Sequence, residues 1–237
     1  MPKTRSGQES RPQRGSSSQE TGFDAVKRNM ATYGVSVSDD LRDVKYATDA
    51  TDGVKFMMDR FPMLRGQIQQ IKYDEDYPAM AYSQSRFGPD GYLKNTLALT
   101  KTFNSDRNHG LNNLDSLSAT GAHEAAHALA DAMRNAAVRE AVGANAGRYE
   151  VVGKMVEQLK GHKIENSVVR AAASRVNRAS GTRTPLAELR RGISSYATTN
   201  MAETFAEGMG DYFARGESAH PLSIAIYHET RRRLGLE

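Results

Sequence analysis

Residues 120–130, TGAHEAAHALA, contain the pattern H-E-x-x-H as His123-Glu124-Ala125-Ala126-His127. On an α-helix, residues four apart lie one above the other on the same face, so both imidazoles would face one point. That spacing lets two histidines bind one Zn²⁺, with the glutamate beside them placed to take a proton from water. The pattern therefore predicts a helix that carries part of a zinc site.

The alternative interpretation is a surface helix whose histidines and glutamate face water. The flanking residues argue against it, because Glu124 is the only charged residue between positions 120 and 130. Ala125, Leu129 and Met133 recur at helical spacing and predict a face that packs inward. A buried His-Glu-His cluster needs partners, since unpaired buried polar groups are costly. A metal ion is the simplest partner.

A catalytic zinc site takes three protein ligands and leaves one position open for water. The chain has no cysteine, and positions 130 and 133 are Ala130 and Met133, so the longer pattern H-E-x-x-H-x-x-G-x-x-H is absent. We therefore expect an acidic third ligand from a later helix, the His₂Glu arrangement of many zinc hydrolases. A purely structural zinc site is the alternative. It would need a fourth protein ligand, for which His109, His220 and His228 are candidates.

The best source of that ligand is residues 196–207, YATTNMAETFAE. The string Y-A-x-T-N-x-x-E-x-F-A-E resembles the second active-site motif of the anthrax lethal-factor-like zinc peptidases. Related segments occur in some phage-encoded head and minor structural proteins. Carried over by position, the resemblance implies that the zinc ligands are His123, His127 and Glu203. It implies Glu124 as the general base and Tyr196 as a donor to the transition state.

The resemblance also implies the fold, the activity and the cofactor. We expect an α+β, zincin-like domain with a small mixed sheet packed on helices and a mostly helical C-terminal half. The implied activity is that of a gluzincin-type endopeptidase, which uses Zn²⁺ to hydrolyse a protein or peptide substrate. The alternative is a phage head or virion assembly protein that uses this fold as a scaffold with little or no activity. Thr204 replaces the family's usual aromatic residue, which we expect to affect packing rather than chemistry.

The second motif also has an interpretation without metal. Asn200 followed by Glu203 is typical of a helix N-cap and a variant capping box. Glu203 and Glu207 lie one turn apart, as carboxylates often do on a solvated helix face. Glu207 is also the rival to Glu203 as ligand. We assign it instead as the hydrogen-bond partner of a ligand imidazole, a role for which Asp211 is the weaker candidate.

Hydrophobic periodicity and turn residues predict the remaining organisation. Residues 1–21 form a basic tail that we expect to be disordered, and residues 22–237 form a single domain with a helical insert at about 134–185. Predicted helices cover 23–33, 49–61 and 201–215, with a last one from Pro221, and predicted strands cover 67–73, 80–85 and 96–103. We expect strand 96–103 to be an edge strand along which a peptide substrate pairs. The alternative is an ordinary strand without substrate contact.

Composition and charge limit the classes of protein to which this chain can belong. The chain has 237 residues, a net charge of +4 and 38% hydrophobic residues, enough for one sizeable core. Basic residues gather in the tail, at 160–191 and at 231–233, and we interpret them as solvated faces rather than a nucleic-acid surface. No signal peptide and no transmembrane segment are recognised. We therefore expect a cytoplasmic or virion-associated protein; the oligomeric state does not follow from the sequence.

Overall fold

The computed structural model describes residues 22–42, 47–79, 81–100, 117–143, 148–159 and 163–237. These form an α+β fold with a small mixed sheet and a mostly helical C-terminal half, which confirms the predicted fold class at that level. The predicted tail 1–21 lies outside the described residues. The elements are α1 Gly22–Thr32, β1 Ser36–Val37, α2 Ala47–Arg60, β2 Ile68–Asp74, β3 Ala81–Phe87, β4 Leu93–Thr100, α3 Leu117–Val142, α4 Tyr149–Gln158, α5 Lys163–Ser180, α6 Leu186–Ile193, α7 Met201–Arg215 and α8 Pro221–Arg233.

Most helices follow the periodicity of the sequence. Phe23, Val26 and Met30 form the buried face of α1. Helix α2 ends at Arg60, two residues before Pro62. The segment predicted as a helical insert contains the end of α3 and the whole of α4 and α5. Within the described part of the chain, no helix has the length and apolarity needed to cross a membrane.

The four described strands lie in the order β1-β2-β4-β3, with β1, β2 and β4 parallel and β3 antiparallel to β4. The prediction of an edge strand at 96–103 is wrong for residues 96–100, because β4 pairs with β2 on one side and β3 on the other. Its start is also three residues earlier than predicted, since the strand begins directly after the turn that ends at Tyr92. Residues 101–103 lie outside the described residues. The edge strand next to β4 is β3.

Helix α3 is the central element of the core. It packs against α2, α7, β3 and β4, and between positions 119 and 135 every residue except His127 is buried. Its many alanines favour the helix and leave room for close neighbours. A smaller apolar cluster, which includes Leu93, Val138 and Val152, packs α4 against the end of α3.

Two glycines allow α2 and α3 to cross closely. A Cβ on Gly121 would overlap the carbonyl group of Ala50, and a Cβ on Gly53 would overlap that of Ser118. Both obstacles are backbone atoms, so no side-chain rotation relieves the clash. We expect Gly121→Ala to lower the free energy of unfolding by about 1–3 kcal/mol or more, measured by urea denaturation.

Gly153→Ala is the matched control, because Gly153 is also helical but has open space at the Cβ position. There the higher helix propensity of alanine should raise the free energy of unfolding by up to about 1 kcal/mol. Equal stabilities of the two variants would contradict the close crossing of α2 and α3.

Candidate metal centre

Helix α3 presents two imidazoles at one point, as the spacing predicts. The Nε2 atoms of His123 and His127 lie 3.2 Å apart, and the rings are nearly perpendicular, at 76°. His123 is buried, whereas His127 is partly exposed to the cleft described below. One helical turn is therefore enough to bring the two nitrogen donors together.

The third group comes from the first turn of α7. Asn200 caps this helix, since its Oδ1 accepts a hydrogen bond of 3.0 Å from the backbone N–H of Glu203. The carboxylate of Glu203 points to the histidines, with Oε2 lying 3.2 Å from Nε2 of His123 and 3.5 Å from Nε2 of His127. Asn200 is therefore the N-cap of α7, and the carboxylate of Glu203 faces the two imidazoles rather than solvent.

The three atoms have the spacing and chemistry of a metal-binding set. Around a tetrahedral Zn²⁺ with bonds of about 2.0–2.1 Å, ligand atoms lie about 3.3–3.4 Å apart. The observed separations are 3.2, 3.2 and 3.5 Å. Oε2 of Glu203 is also a buried oxygen with no hydrogen bond of ordinary geometry. The residues therefore fit a divalent ion that accepts nitrogen and oxygen ligands.

The other histidines that can be located are elsewhere. His220 caps α8, where its Nδ1 accepts a hydrogen bond from Leu222 N–H, and His228 lies beside Glu217 and Glu237. His109 lies outside the described residues. Among the residues that the structure describes, the cluster contains His123, His127 and Glu203 alone.

Glu207 lies one turn beyond Glu203 and faces the opposite nitrogen of His123. Its side chain is fully buried, and Oε1 lies 2.9 Å from Nδ1 of His123. Asp211 does not share this position, because it contacts Arg215 and accepts a hydrogen bond from the backbone N–H of His220. The structure therefore places Glu207, and not Asp211, next to this imidazole, but neither Nδ1 of His123 nor Oε1 of Glu207 makes a hydrogen bond of ordinary geometry, so the hydrogen-bonding role of Glu207 stays a prediction.

The buried carboxylates make this site favourable for positive charge. Burial lowers the pKa of His123, but the neighbouring carboxylates of Glu203 and Glu207 outweigh burial and raise it to about 10. Burial likewise opposes ionisation of Glu203, yet the two imidazoles hold its pKa far below the ordinary value. The centre therefore stabilises a cation, either a proton on an imidazole or a metal ion.

Glu124 and Tyr196 border the same centre. Burial raises the pKa of Glu124, and the imidazoles of His123 and His127 only partly offset this. Tyr196 lies in a short 3₁₀ turn, Tyr196–Thr198, with its ring centroid 6.1 Å from that of His123. Burial and the nearby Glu203 carboxylate raise the pKa of Tyr196 to about 12, so its hydroxyl remains a proton donor at neutral pH.

A cleft of about 530 Å³ contains these groups. Residues of α3 and of the edge strand β3 line it, together with Tyr196 and Glu203. Tyr77 and Tyr82 line it too, with ring centroids 4.4 Å apart. The cleft therefore places the candidate metal centre next to a strand whose outer edge has no partner among the described strands.

Sequence reasoning missed a polar network that attaches α3 to the sheet beside the histidines. Asp131, one turn after His127, accepts hydrogen bonds from Ser85 and from Asn95, the latter at 2.9 Å, and pairs with Arg134. The available signal was a pair of charged residues, Asp131 and Arg134, in the mostly apolar stretch 128–138 of this helix. Buried charges of this kind require partners, but the partners are on strands and are not apparent from the helix itself.

Comparison with family models, with curated proteins and with solved structures found no match for this chain. The resemblance to lethal-factor-like peptidases therefore depends on the two motifs, and membership of that family remains a prediction.

Proposed function

We propose that this chain is a zinc-dependent endopeptidase with a zincin-like fold. The observation that carries the proposal is the convergence of His123, His127 and Glu203 at ligand spacing, with Glu124 beside them in a cleft. Zn²⁺ held by these three residues would lower the pKa of a bound water to about 7 and polarise a carbonyl group. Among the residues that the structure describes, three ligand groups converge, which leaves a position for that water and supports a catalytic rather than a structural site.

Glu124 and Tyr196 have different roles in the proposed reaction. Glu124 accepts a proton as the water oxygen attacks the peptide carbonyl carbon, and it then passes that proton to the leaving nitrogen as the C–N bond breaks. Burial raises its pKa above the ordinary carboxyl value, which makes Glu124 a stronger proton acceptor. Tyr196, protonated at neutral pH, donates a hydrogen bond to the oxygen on which negative charge develops.

The edge strand β3 takes the substrate role that the sequence assigned to 96–103. An extended peptide adds to a sheet by main-chain hydrogen bonds along an unpaired edge. β3 spans Ala81–Phe87 along the wall of the cleft. This position supports a protein or peptide as the substrate and an endopeptidase rather than a hydrolase of small molecules.

A peptide-library digest tests the proposed function. We expect the purified chain to bind close to one zinc ion and to cleave internal peptide bonds. A chelator should abolish cleavage, and added Zn²⁺ should restore it. The products are identified by mass spectrometry and the metal by elemental analysis. Zinc binding without cleavage would favour the assembly-scaffold alternative, and a chain that binds no zinc would contradict both the metal site and the peptidase proposal.

A further inference from the structure

The side chain of Arg190, on α6, connects the two segments that carry Tyr196 and Glu203. Its Nε and Nη2 donate to the carbonyl oxygen of Ala197 at 3.1 and 3.0 Å, and Nε also donates to Oγ1 of Thr204 at 2.8 Å. Ala197 immediately follows Tyr196, and Thr204 immediately follows Glu203. The Arg190 guanidinium group therefore binds both Ala197, the neighbour of Tyr196, and Thr204, the neighbour of Glu203.

Thr204 closes this network from the helix side. Its side chain is fully buried, and Oγ1 lies 2.7 Å from the carbonyl oxygen of Ala197 and 2.9 Å from that of Asn200. We expected the threonine at this position to affect packing rather than chemistry. Its hydroxyl lies within hydrogen-bond distance of the turn, the helix cap and the arginine.

We propose that Arg190 and Thr204 form a positioning clamp that sets the distance and orientation of Tyr196 and Glu203 relative to the two imidazoles. This inference rests on the proposed zinc peptidase function for its catalytic part. Its structural part, the placement of Glu203 at the metal, is independent of whether the chain cleaves peptides.

Other contacts hold the two segments in the fold, so the clamp acts on their geometry more than on folding. The backbone N–H of Ala197 donates to Oγ of Ser194 at 2.8 Å. Asn200 caps α7, and Phe205 and Met209 anchor that helix in the main core. Loss of the clamp should therefore leave α7 folded. The distance and orientation between Tyr196 and the Glu203 carboxylate should no longer be fixed.

Thr204→Val removes the hydroxyl and keeps the shape, whereas Thr204→Ser keeps the hydroxyl. Supporting groups around a metal site are typically worth about 10–100-fold in affinity or activity. We expect Thr204→Val to weaken Zn²⁺ binding and to lower kcat by about 10–100-fold with little change in KM. The visible spectrum of the Co²⁺-loaded protein should change as well. Thr204→Ser should restore most of each property.

Thr230→Val is the matched control. Thr230 is also fully buried in a helix. Its Oγ1 donates a hydrogen bond of 2.8 Å to the carbonyl oxygen of Ile226, four residues earlier, which is the same kind of bond that Thr204 can make to Asn200. It lies on α8, outside the cleft. If Thr204→Val and Thr230→Val show the same Zn²⁺ affinity and Co²⁺ spectrum, the clamp proposal is overturned.

Arg190→Lys provides a second variant, because a single ammonium group cannot reproduce the fork of a guanidinium. We expect Arg190→Lys to weaken Zn²⁺ binding and lower kcat, as Thr204→Val should do. If this variant keeps wild-type metal affinity and kcat, the proposal is overturned, even if Thr204→Val fails to fold. The metal measurements use Zn²⁺ or Co²⁺ alone. A wild-type chain that cleaves nothing would therefore contradict the peptidase function, while the clamp would still be judged by metal affinity and by the Co²⁺ spectrum.

Discussion

Replacing Glu124 with glutamine is expected to lower kcat/KM for peptide cleavage by about 10²–10⁴-fold, the usual contribution of a general base. Glutamine has nearly the same shape, but its amide cannot accept and return a proton. Glu124 is not one of the three converging ligand groups, so the variant should still bind close to one zinc ion. Cleavage rates from the peptide digest and the metal content of the same sample check both parts of this prediction.

Glu140→Gln is the control for this change, because Glu140 lies on the same helix α3 but is exposed to solvent. We expect it to retain wild-type cleavage and metal content. A Glu124→Gln variant that cleaves peptides at the rate of Glu140→Gln would rule out Glu124 as the base. The proposed mechanism would then need another proton acceptor in the cleft.

Glu203→Ala is expected to bind far less zinc than the unchanged protein, and the proposed cleavage should be lost as well. Of the three converging groups in the described part of the chain, the substitution leaves the two imidazoles of α3, and catalytic zinc sites normally use three protein ligands. The loss of affinity should exceed the about 10–100-fold that follows removal of a group supporting a ligand. Titration with Zn²⁺ against a competing chelator measures this loss.

The control for Glu203→Ala must also remove a glutamate from the first turn of a helix, where carboxylates interact favourably with the helix dipole. Glu188 is the third residue of α6, as Glu203 is of α7, but it is exposed and outside the cleft. Glu188→Ala should keep wild-type zinc affinity. Zinc affinity that is unchanged in Glu203→Ala would remove this residue from the site and leave Glu207 as the ligand to test next.

Short-range patterns in the sequence predicted the helices well, because a helix depends on residues within about one turn of each other. The apolar spacing located α2 and α7, and Asn200 marked the first turn of α7 as its cap. The H-E-x-x-H spacing likewise placed two nitrogen donors 3.2 Å apart on α3. The pairing of Glu203 with them was inferred from a motif, and the sequence has no physical pattern that measures the distance between α3 and α7.

The order of strands in the sheet was not accessible in the same way. The alternation in β4 predicts a strand but does not say which neighbours it pairs with, and the structure places it between β2 and β3. The contacts of Arg190 were also missed, since a single arginine in a basic stretch gives no sign of the carbonyl that it will bind. The roles of Gly53 and Gly121 could not be predicted for the same reason. Each glycine makes room for a helix that is distant in the chain.

What the sequence by itself determined is therefore local: the approximate extent of α1, α2 and α7, the start of α8, the cap of α7, and the two imidazoles and the glutamate of the first motif. Tertiary structure alone decided that β3 is the edge strand beside the cleft, and that Arg190 joins the turn at Tyr196 to the helix of Glu203. The physical reason is that backbone spacing acts over a few residues. Strand neighbours and buried polar partners are chosen by the packing of segments that are far apart in the chain.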